Sequence, residues 1–160
     1  MIVLALDPGA QVGVARLNGE RIDYLHTFDW HKRRDALEQA IVANFAPGAR
    51  AFIEEPGQGY WSPPGVSPLH YAAAVGQCRL RADELRRSCE KAGYVVRMVK
   101  PLRGGTKRRM TPLRFDLEFP ELAGKRKSSH ARDAACMAAH WGRLAEFEER
   151  IAEADRKAKT

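Results

Sequence analysis

The chain opens on a strand that constrains what the remaining residues can form. Residues 1–6 are Met-Ile-Val-Leu-Ala-Leu, an apolar run without alternation, and Asp7-Pro8-Gly9 follows directly. Such a run predicts a strand buried on both faces, and therefore one at the centre of a sheet. Pro8 and Gly9 predict a tight turn after it. Asp7 is thereby expected at the carboxyl end of a central strand, where α/β proteins collect ligands, although an Asp that only caps the turn is common.

The following residues predict an α/β fold with a mixed five-stranded sheet, a three-stranded antiparallel meander plus parallel strands, flanked by helices. Asn18-Gly19 is a strong hairpin signal between two apolar runs, which gives the meander. A later strand–helix–strand unit is long enough to imply parallel pairing. The predicted elements after the first strand are strands at 12–17 and 22–28, a helix at 31–45, a strand at 51–53, a helix at 68–92 and a strand at 94–99.

The C-terminal third is predicted to hold a weakly periodic basic stretch, at 102–127, and then a helix. Ser128-Ser129 is expected to cap this last helix. Its far end is mainly Glu, Lys, Arg and Ala, which predicts a solvated helical tail. We therefore expect one domain at 1–145 and a charged helical tail at 146–160.

The long helix carries an apolar stripe, and two of the three cysteines lie on it. Its 3-4-3-4 spacing fits either a core face or a dimer seam. Three cysteines without CxxC spacing argue against a disulfide framework and a zinc site, and the two on the stripe are expected to be buried, inert thiols. The stripe consists of Val75, Cys78, Ala82, Leu85 and Cys89.

A second short apolar strand also ends on acids, since Glu54 and Glu55 precede another Pro-Gly pair. Neighbouring strand residues face opposite ways, so parity alone leaves either glutamate on the site face. On the last helix, His130 and Asp133 are three residues apart and share one face. Alanines around them allow that helix to approach a sheet closely, and a buried His and Asp there would need polar partners.

Asp7, Glu54 and Asp133 are thus three carboxylates on three separate elements. Carboxylates brought together repel one another unless a cation neutralises them, and their hard oxygens suit Mg²⁺ or Mn²⁺ better than zinc. Two such ions about 3.5–4 Å apart can hold a phosphodiester, one activating water and the other stabilising the leaving oxygen. The pattern predicts metal-dependent phosphodiester hydrolysis.

The chain is basic, with a net charge of +7, and the excess is clustered. Between residues 97 and 132, eleven Lys and Arg face three acids. This clustering favours nucleic acid as the partner over a merely solvated basic surface. No apolar run is long enough to span a bilayer, and the N-terminus does not resemble a signal peptide, so we expect a cytoplasmic protein with no membrane partner.

The order of these motifs resembles the RuvC family of Holliday-junction resolvases. The motifs are DPG…G after the first strand, IEE after a later one, a long helix, a strand, and SHxxDA near the start of the last helix. The resemblance runs from about residue 2 to residue 144 and suggests a compact, divergent, phage-type member. It implies a ribonuclease H-like fold and an Mg²⁺-dependent endonuclease, with Mn²⁺ able to substitute and no nucleotide cofactor. It also implies a homodimer that cuts two strands of a four-way DNA junction symmetrically.

Residue by residue, the resemblance assigns Asp7, Glu54 and Asp133 as metal ligands. His130 matches a position that acts as a ligand or in proton transfer. The resemblance favours Glu54 over Glu55. The predicted catalytic and metal-binding residues are therefore Asp7, Glu54, His130 and Asp133.

The resemblance also implies contacts to nucleic acid. Lys107 matches a basic residue that contacts phosphate near the scissile bond. Gly57 stands where the family often has a base-stacking aromatic residue, and the aromatics of this chain come later, in a Gly/Pro-rich loop where base stacking is favoured over simple packing. The residues expected to contact nucleic acid are Tyr60, Trp61, Lys100, Arg103, Lys107, Arg108, Arg109, Lys125, Arg126 and Lys127.

The sequence leaves three function classes to compare. The first is the junction endonuclease, and its rival is a ribonuclease H-like nuclease acting on flap DNA or structured RNA. The third is an actin-like ATPase, which opens on a similar strand but needs a second similar domain and a Gly-rich adenosine motif that 160 residues do not accommodate. A nucleic-acid-binding module without activity would be expected to have lost one of the three acids, and all three are present.

Overall fold

A computed structural model of the protein describes residues 1–56, 64–102, 111–124 and 127–158. These residues form five strands, four α-helices and one 3₁₀ turn. In chain order the elements are β1 (Ile2–Asp7), β2 (Gln11–Asn18), β3 (Arg21–Asp29), α1 (Arg34–Ala43), β4 (Arg50–Glu54), α2 (Pro68–Ala92), β5 (Val95–Val99), α3 (Pro112–Glu118), the 3₁₀ turn (Pro120–Leu122) and α4 (Ser129–Ala158).

The strands form one mixed sheet with β1 at its centre, in the order β3-β2-β1-β4-β5. β1 and β2 are antiparallel, as are β2 and β3, which is the predicted meander. β4 pairs parallel with both β1 and β5, as the strand–helix–strand unit implied. The predicted mixed five-stranded α/β sheet is therefore confirmed, and the carboxyl ends of β1, β4 and β5 share one edge.

Helices cover both faces of the sheet, so the apolar side chains of the strands divide into two cores. One core joins alternate residues such as Val3, Ala5 and Phe52 to α4, α3 and the 3₁₀ turn. The other joins Leu4, Leu6 and their neighbours to α1 and α2. Four consecutive residues of β1 have no exposed surface, which explains its unbroken apolar run.

α1 begins later than the sequence predicts, at Arg34 in place of residue 31. The Oδ1 atom of Asp29 accepts hydrogen bonds from the backbone N–H groups of His31 and Lys32, at 3.0 and 3.1 Å. These bonds hold the intervening residues in a turn, because a short Asp side chain competes with the helix for local N–H groups.

α2 has the predicted bounds and ends at Gly93, whose φ of 101° is the left-handed conformation of a helix C-cap. In the second half of the stripe, Ala82, Leu85 and Cys89 are buried in the core, and burial raises the pKa of the Cys89 thiol to about 12. Cys78 is only half-buried, so the expectation of two buried thiols is wrong for this one. The first half of α2 is more exposed, with Leu69 77% and Leu80 66% exposed.

The basic stretch contains a short helix, α3, that its weak periodicity did not predict. The Thr111 hydroxyl accepts the backbone N–H of Arg114 at 3.3 Å, and proline follows at the first helical position. Phe115, Phe119 and Leu122 are buried against α4 and the sheet. Burial of these three side chains, more than the propensity of the segment, accounts for the helix.

α4 is one helix of 30 residues that continues through the expected tail. Its first half is buried through alanines, including Ala131, Ala134, Ala135 and Ala138. Residues 146–158 are all exposed, and Glu148 and Glu149 pair with Arg97 and Arg50 of the sheet. Among the helices that the structure describes, none is both long enough and apolar enough to cross a membrane.

Candidate active site

Asp7 is the last residue of β1 and lies at the edge where three strands present their carboxyl ends. It is only 5% exposed, although the Pro8-Gly9 turn follows immediately. Burying a carboxylate is costly unless polar or charged groups surround it. Its burial at this edge therefore makes Asp7 a candidate functional residue.

His130 lies in the first turn of α4 and contacts Asp7 directly. Its Nδ1 atom is 3.0 Å from Oδ2 of Asp7, and its side chain is 39% exposed against 7% for Asp7. A carboxylate offers acceptor oxygens, so the tautomer with a proton on Nδ1 makes this contact a hydrogen bond and leaves Nε2 for a second partner. The pair joins a buried acid to a solvent-reachable imidazole.

Gly13 lets α4 come this close to the sheet. It pairs with Asp7 across β1 and β2. A Cβ atom at this position would overlap the carbonyl oxygen of His130 and lie 3.1 Å from the backbone nitrogen of Ala131. Only glycine leaves the space for the first turn of α4 to pack on β2 at this point.

Thr27, the β3 residue paired with Gly13, holds the start of the same helix. Its Oγ1 atom is 2.6 Å from Oγ of Ser128. Ser128 Oγ also accepts the backbone N–H of Ala131 at 3.0 Å, which confirms the predicted cap. We call Asp7, Gly13 and Thr27 the seating row, because these cross-strand neighbours together position the first turn of α4.

Ser128→Ala tests whether this cap holds the first turn of α4 in place. We expect it to lower the free energy of unfolding by about 1 kcal/mol, the usual cost of losing a serine N-cap. Thermal or urea unfolding measures the loss, and Ser129→Ala is the matched control because Ser129 is exposed on the first turn. Equal stability of the Ser128→Ala variant and the wild type would show that the cap does not hold the helix.

Glu54, and not Glu55, lies on the α4 side of the sheet. It is the last residue of β4 and pairs in register with Val99, which belongs to the core that α4 covers. Glu55 follows the strand, is exposed, and donates its backbone N–H to the carbonyl of Val99 at 2.7 Å. Asp7 and Glu54 continue the parallel Leu6–Ile53 register, so they are neighbours on adjacent strands.

Asp133 lies one turn beyond His130 on α4 and is half-buried. The structure brings Asp7 and His130 into contact and places Glu54 and Asp133 on the same side of the sheet. Among the residues that the structure describes, no three His, Cys, Asp or Glu side chains are close enough to hold a metal ion together. The four predicted ligands lie on the same side of the sheet, but in this structure they do not form a metal-binding cluster.

Two of the predicted nucleic-acid contacts are described. Lys100 is exposed directly after β5, and Lys127 is half-buried just before α4, so both lie near the carboxyl-end edge. The other predicted contacts lie outside the described residues, and these are Tyr60, Trp61, Arg103, Lys107, Arg108, Arg109, Lys125 and Arg126.

Sequence reasoning missed the two uncharged members of the seating row. Gly13 carried a usable signal, because a glycine inside a strand often marks a place where another backbone approaches. Thr27 carried none, since threonine is common in strands. Its partner on α4 becomes evident only when the two elements are packed together.

The fold is similar to that of the ribonuclease H-like α/β proteins, and it matches solved structures of a Holliday-junction resolvase. RuvC of Thermus thermophilus in complex with Holliday junction substrate is 17% identical and superimposes with a TM-score of 0.63 over 92% of this chain and 96% of that chain. A second Thermus thermophilus RuvC structure is 18% identical, with a TM-score of 0.52 over 91% and 97%. No protein-family model and no curated protein matches the sequence.

Proposed function

We propose that the protein is an Mg²⁺-dependent, structure-selective endonuclease that resolves four-way or branched DNA junctions as a homodimer. The observation that carries this proposal is the buried carboxylate of Asp7, at the carboxyl-end edge of the sheet, within 3.0 Å of His130. The fold similarity to a resolvase solved with Holliday junction substrate supports the choice of DNA junctions.

The donor set suits a divalent ion. Asp7, Glu54 and Asp133 offer carboxylate oxygens and His130 an imidazole nitrogen, a combination that favours Mg²⁺ or Mn²⁺ over softer metals. In this proposal these four residues bind the ions, after side-chain movements that bring Glu54 and Asp133 to the Asp7–His130 pair. Bound ions would activate water for attack on the phosphodiester and stabilise the leaving oxygen.

The residues of the chain have distinct roles in this scheme. Asp7 is fixed by a central strand, so its carboxylate holds one position while its neighbours adjust. His130 turns Nδ1 toward Asp7, which leaves Nε2 either to bind an ion or to exchange a proton with bound water. The seating row holds His130 against the sheet, which fixes the separation of the imidazole from the carboxylate.

Cleavage of labelled synthetic substrates tests the proposal. A four-way junction, a duplex, a flap and a structured RNA are compared with and without Mg²⁺. Paired symmetric nicks in the junction, dependent on Mg²⁺, are the expected result. Cleavage of the flap or RNA alone would move the function to the rival nuclease class, and absence of cleavage in every substrate would leave a binding module.

The basic stretch is proposed to hold the DNA backbone, and salt dependence tests it. We expect Lys107→Gln with Arg109→Gln to weaken junction binding and to reduce the slope of log affinity against log salt by about two, because each neutralised phosphate contributes roughly 0.9. Arg87→Gln with Lys91→Gln, on the exposed end of α2, is the charge-matched control. An unchanged slope in the first variant would place the contact surface elsewhere.

A further inference from the structure

The distal part of α4 has no role in the proposed active site. Residues 146–158 are all exposed, and this helical segment is roughly 20 Å long at 1.5 Å per residue. It continues the packed first half of α4 and contacts the sheet through the ion pairs Glu148–Arg97 and Glu149–Arg50, which are exposed and contribute little. A partner surface would add the apolar burial that this segment lacks.

An exposed apolar stripe follows this part of the helix. Leu144, Phe147 and Ile151 are 40%, 59% and 47% exposed, and Ala154 and Ala158 continue the series. Their spacing is 3-4-3-4, which is the a and d pattern of a coiled coil. Leu144, Ile151 and Ala158 take position a, while Phe147 and Ala154 take position d.

The stripe faces away from the body of the protein. Gly142 packs so closely on the sheet that a Cβ atom there would lie 2.7 Å from Leu17. Seven residues later, Glu149 pairs with Arg50 of β4 at 2.7 Å. Both occupy position f of the same heptads, on the side of the helix opposite a and d. A second helix can therefore reach Phe147, Ile151 and Ala154 without meeting the sheet, whereas Leu144 also lines a cavity with Glu118 of α3.

The charges beside the stripe favour a parallel over an antiparallel direction for that second helix. Every g position is basic, at Arg143, Arg150 and Lys157, and the e positions in the exposed segment are acidic, at Glu148 and Asp155. In a parallel pair each g residue meets the e residue five positions later in the other helix, which here joins opposite charges. An antiparallel pair would place g beside g and e beside e, with like charges in contact.

We infer that two copies of this chain associate through a parallel, in-register coiled coil formed by residues 144–158 of α4. Because the two helices run the same way, both first turns, and hence both His130 side chains, lie toward one end of the assembly. The bodies lie on the outside of the pair. The inference gives a surface to the homodimer of the proposed function, but it stands on the helix alone and requires no nuclease activity.

Of the two contacts between g and e positions, Arg150–Asp155 is better suited to a test of association than Arg143–Glu148. Glu148 already contacts Arg97 of its own chain at 3.1 Å, so the Arg143–Glu148 contact shares its acid. The Arg150–Asp155 contact lies farther along the exposed segment. It is the pair whose reversal should report association most clearly.

Cysteine cross-linking tests the register. Ala154→Cys, at position d, places the new thiol beside its own copy in a parallel dimer, whereas Ala152→Cys, at exposed position b, faces outward. Both are made with Cys78→Ser, which removes the half-buried thiol, since Cys89 and Cys136 are buried. Under mild oxidation we expect a disulfide-linked dimer at least tenfold faster for the Ala154→Cys variant. Equal rates, or no dimer from that variant, would overturn the inference.

Charge exchange tests the direction, with molecular mass by sedimentation equilibrium as the readout. We expect Arg150→Glu to raise the dimer dissociation constant roughly tenfold, because two like-charge contacts replace two attractive ones. Asp155→Arg should do the same, and the double variant should restore association. Failure of the double variant to recover would overturn the parallel pairing. Neither experiment measures cleavage. An inactive protein would therefore contradict the proposed function, and the cross-linking and sedimentation results would still test the coiled coil.

Discussion

Asp7→Asn is expected to abolish Mg²⁺-dependent junction cleavage while leaving junction binding within about twofold of the wild type. The substitution keeps the size and shape of the side chain but removes the charge that the proposed ion binds. Loss of an outer-shell partner of a metal ligand typically costs 10–100-fold, so loss of a direct ligand should exceed roughly a hundredfold. Asp133→Asn is expected to behave in the same way.

Single-turnover cleavage, with binding measured separately in Ca²⁺, distinguishes the catalytic role from a structural one. The matched control is Asp23→Asn, which removes an acid of β3 that pairs with Arg16 at 2.6 Å on the meander, outside the seating row. We expect this control to cleave at the wild-type rate. Equal losses of binding and cleavage in the Asp7→Asn variant would indicate that Asp7 only maintains the fold.

Gly13→Ala is expected to reduce both stability and cleavage. The added methyl group would overlap the backbone of His130, which cannot move aside as a flexible side chain would. Overpacking usually costs 1–3 kcal/mol, and backbone overlap belongs at about the upper end of that range. Because the start of α4 must shift, the Asp7–His130 contact should lengthen, and cleavage should fall even where the variant remains folded.

Urea unfolding and cleavage at a temperature well below the melting transition are the two measurements. Gly76→Ala is a matched control, since Gly76 lies within α2 and a Cβ atom there meets nothing within 4 Å. It should stabilise the protein by up to about 1 kcal/mol, because alanine is the better helix former. Wild-type stability and cleavage in the Gly13→Ala variant would show that the seating row does not position the first turn of α4.

Most of the fold could be predicted from the sequence, because the strongest local signals agree with the tertiary packing. The apolar run of β1 predicted its central place, and Asn18-Gly19 predicted the hairpin. Pro68 and Gly93 bracket α2 at the observed bounds. α3 was missed because its stability comes from three buried side chains that meet α4 and the sheet, and no local pattern records that contact.

The candidate site was predictable in part. Asp7 could be predicted from the end of β1, and His130 from its spacing on a capped helix. The choice between Glu54 and Glu55 required the pairing of β4 with β5, because only the register reveals which glutamate shares a face with the core under α4. Whether Glu54 and Asp133 join the Asp7–His130 pair on one ion remains part of the proposal.

The two sides of the Asp7–His130 contact differ in the free energy needed to open them. β1 is hydrogen-bonded on both sides, to β2 and β4, so its amide protons should exchange with solvent only when the whole domain unfolds. His130 belongs to the first turn of α4, and a helix end opens at a lower free energy than a central strand even where, as here, Ser128 caps it and Gly13 lets it pack on the sheet. The Asp7–His130 contact therefore joins the slowest-exchanging strand to an element that can open locally, so the contact can break and re-form without global unfolding.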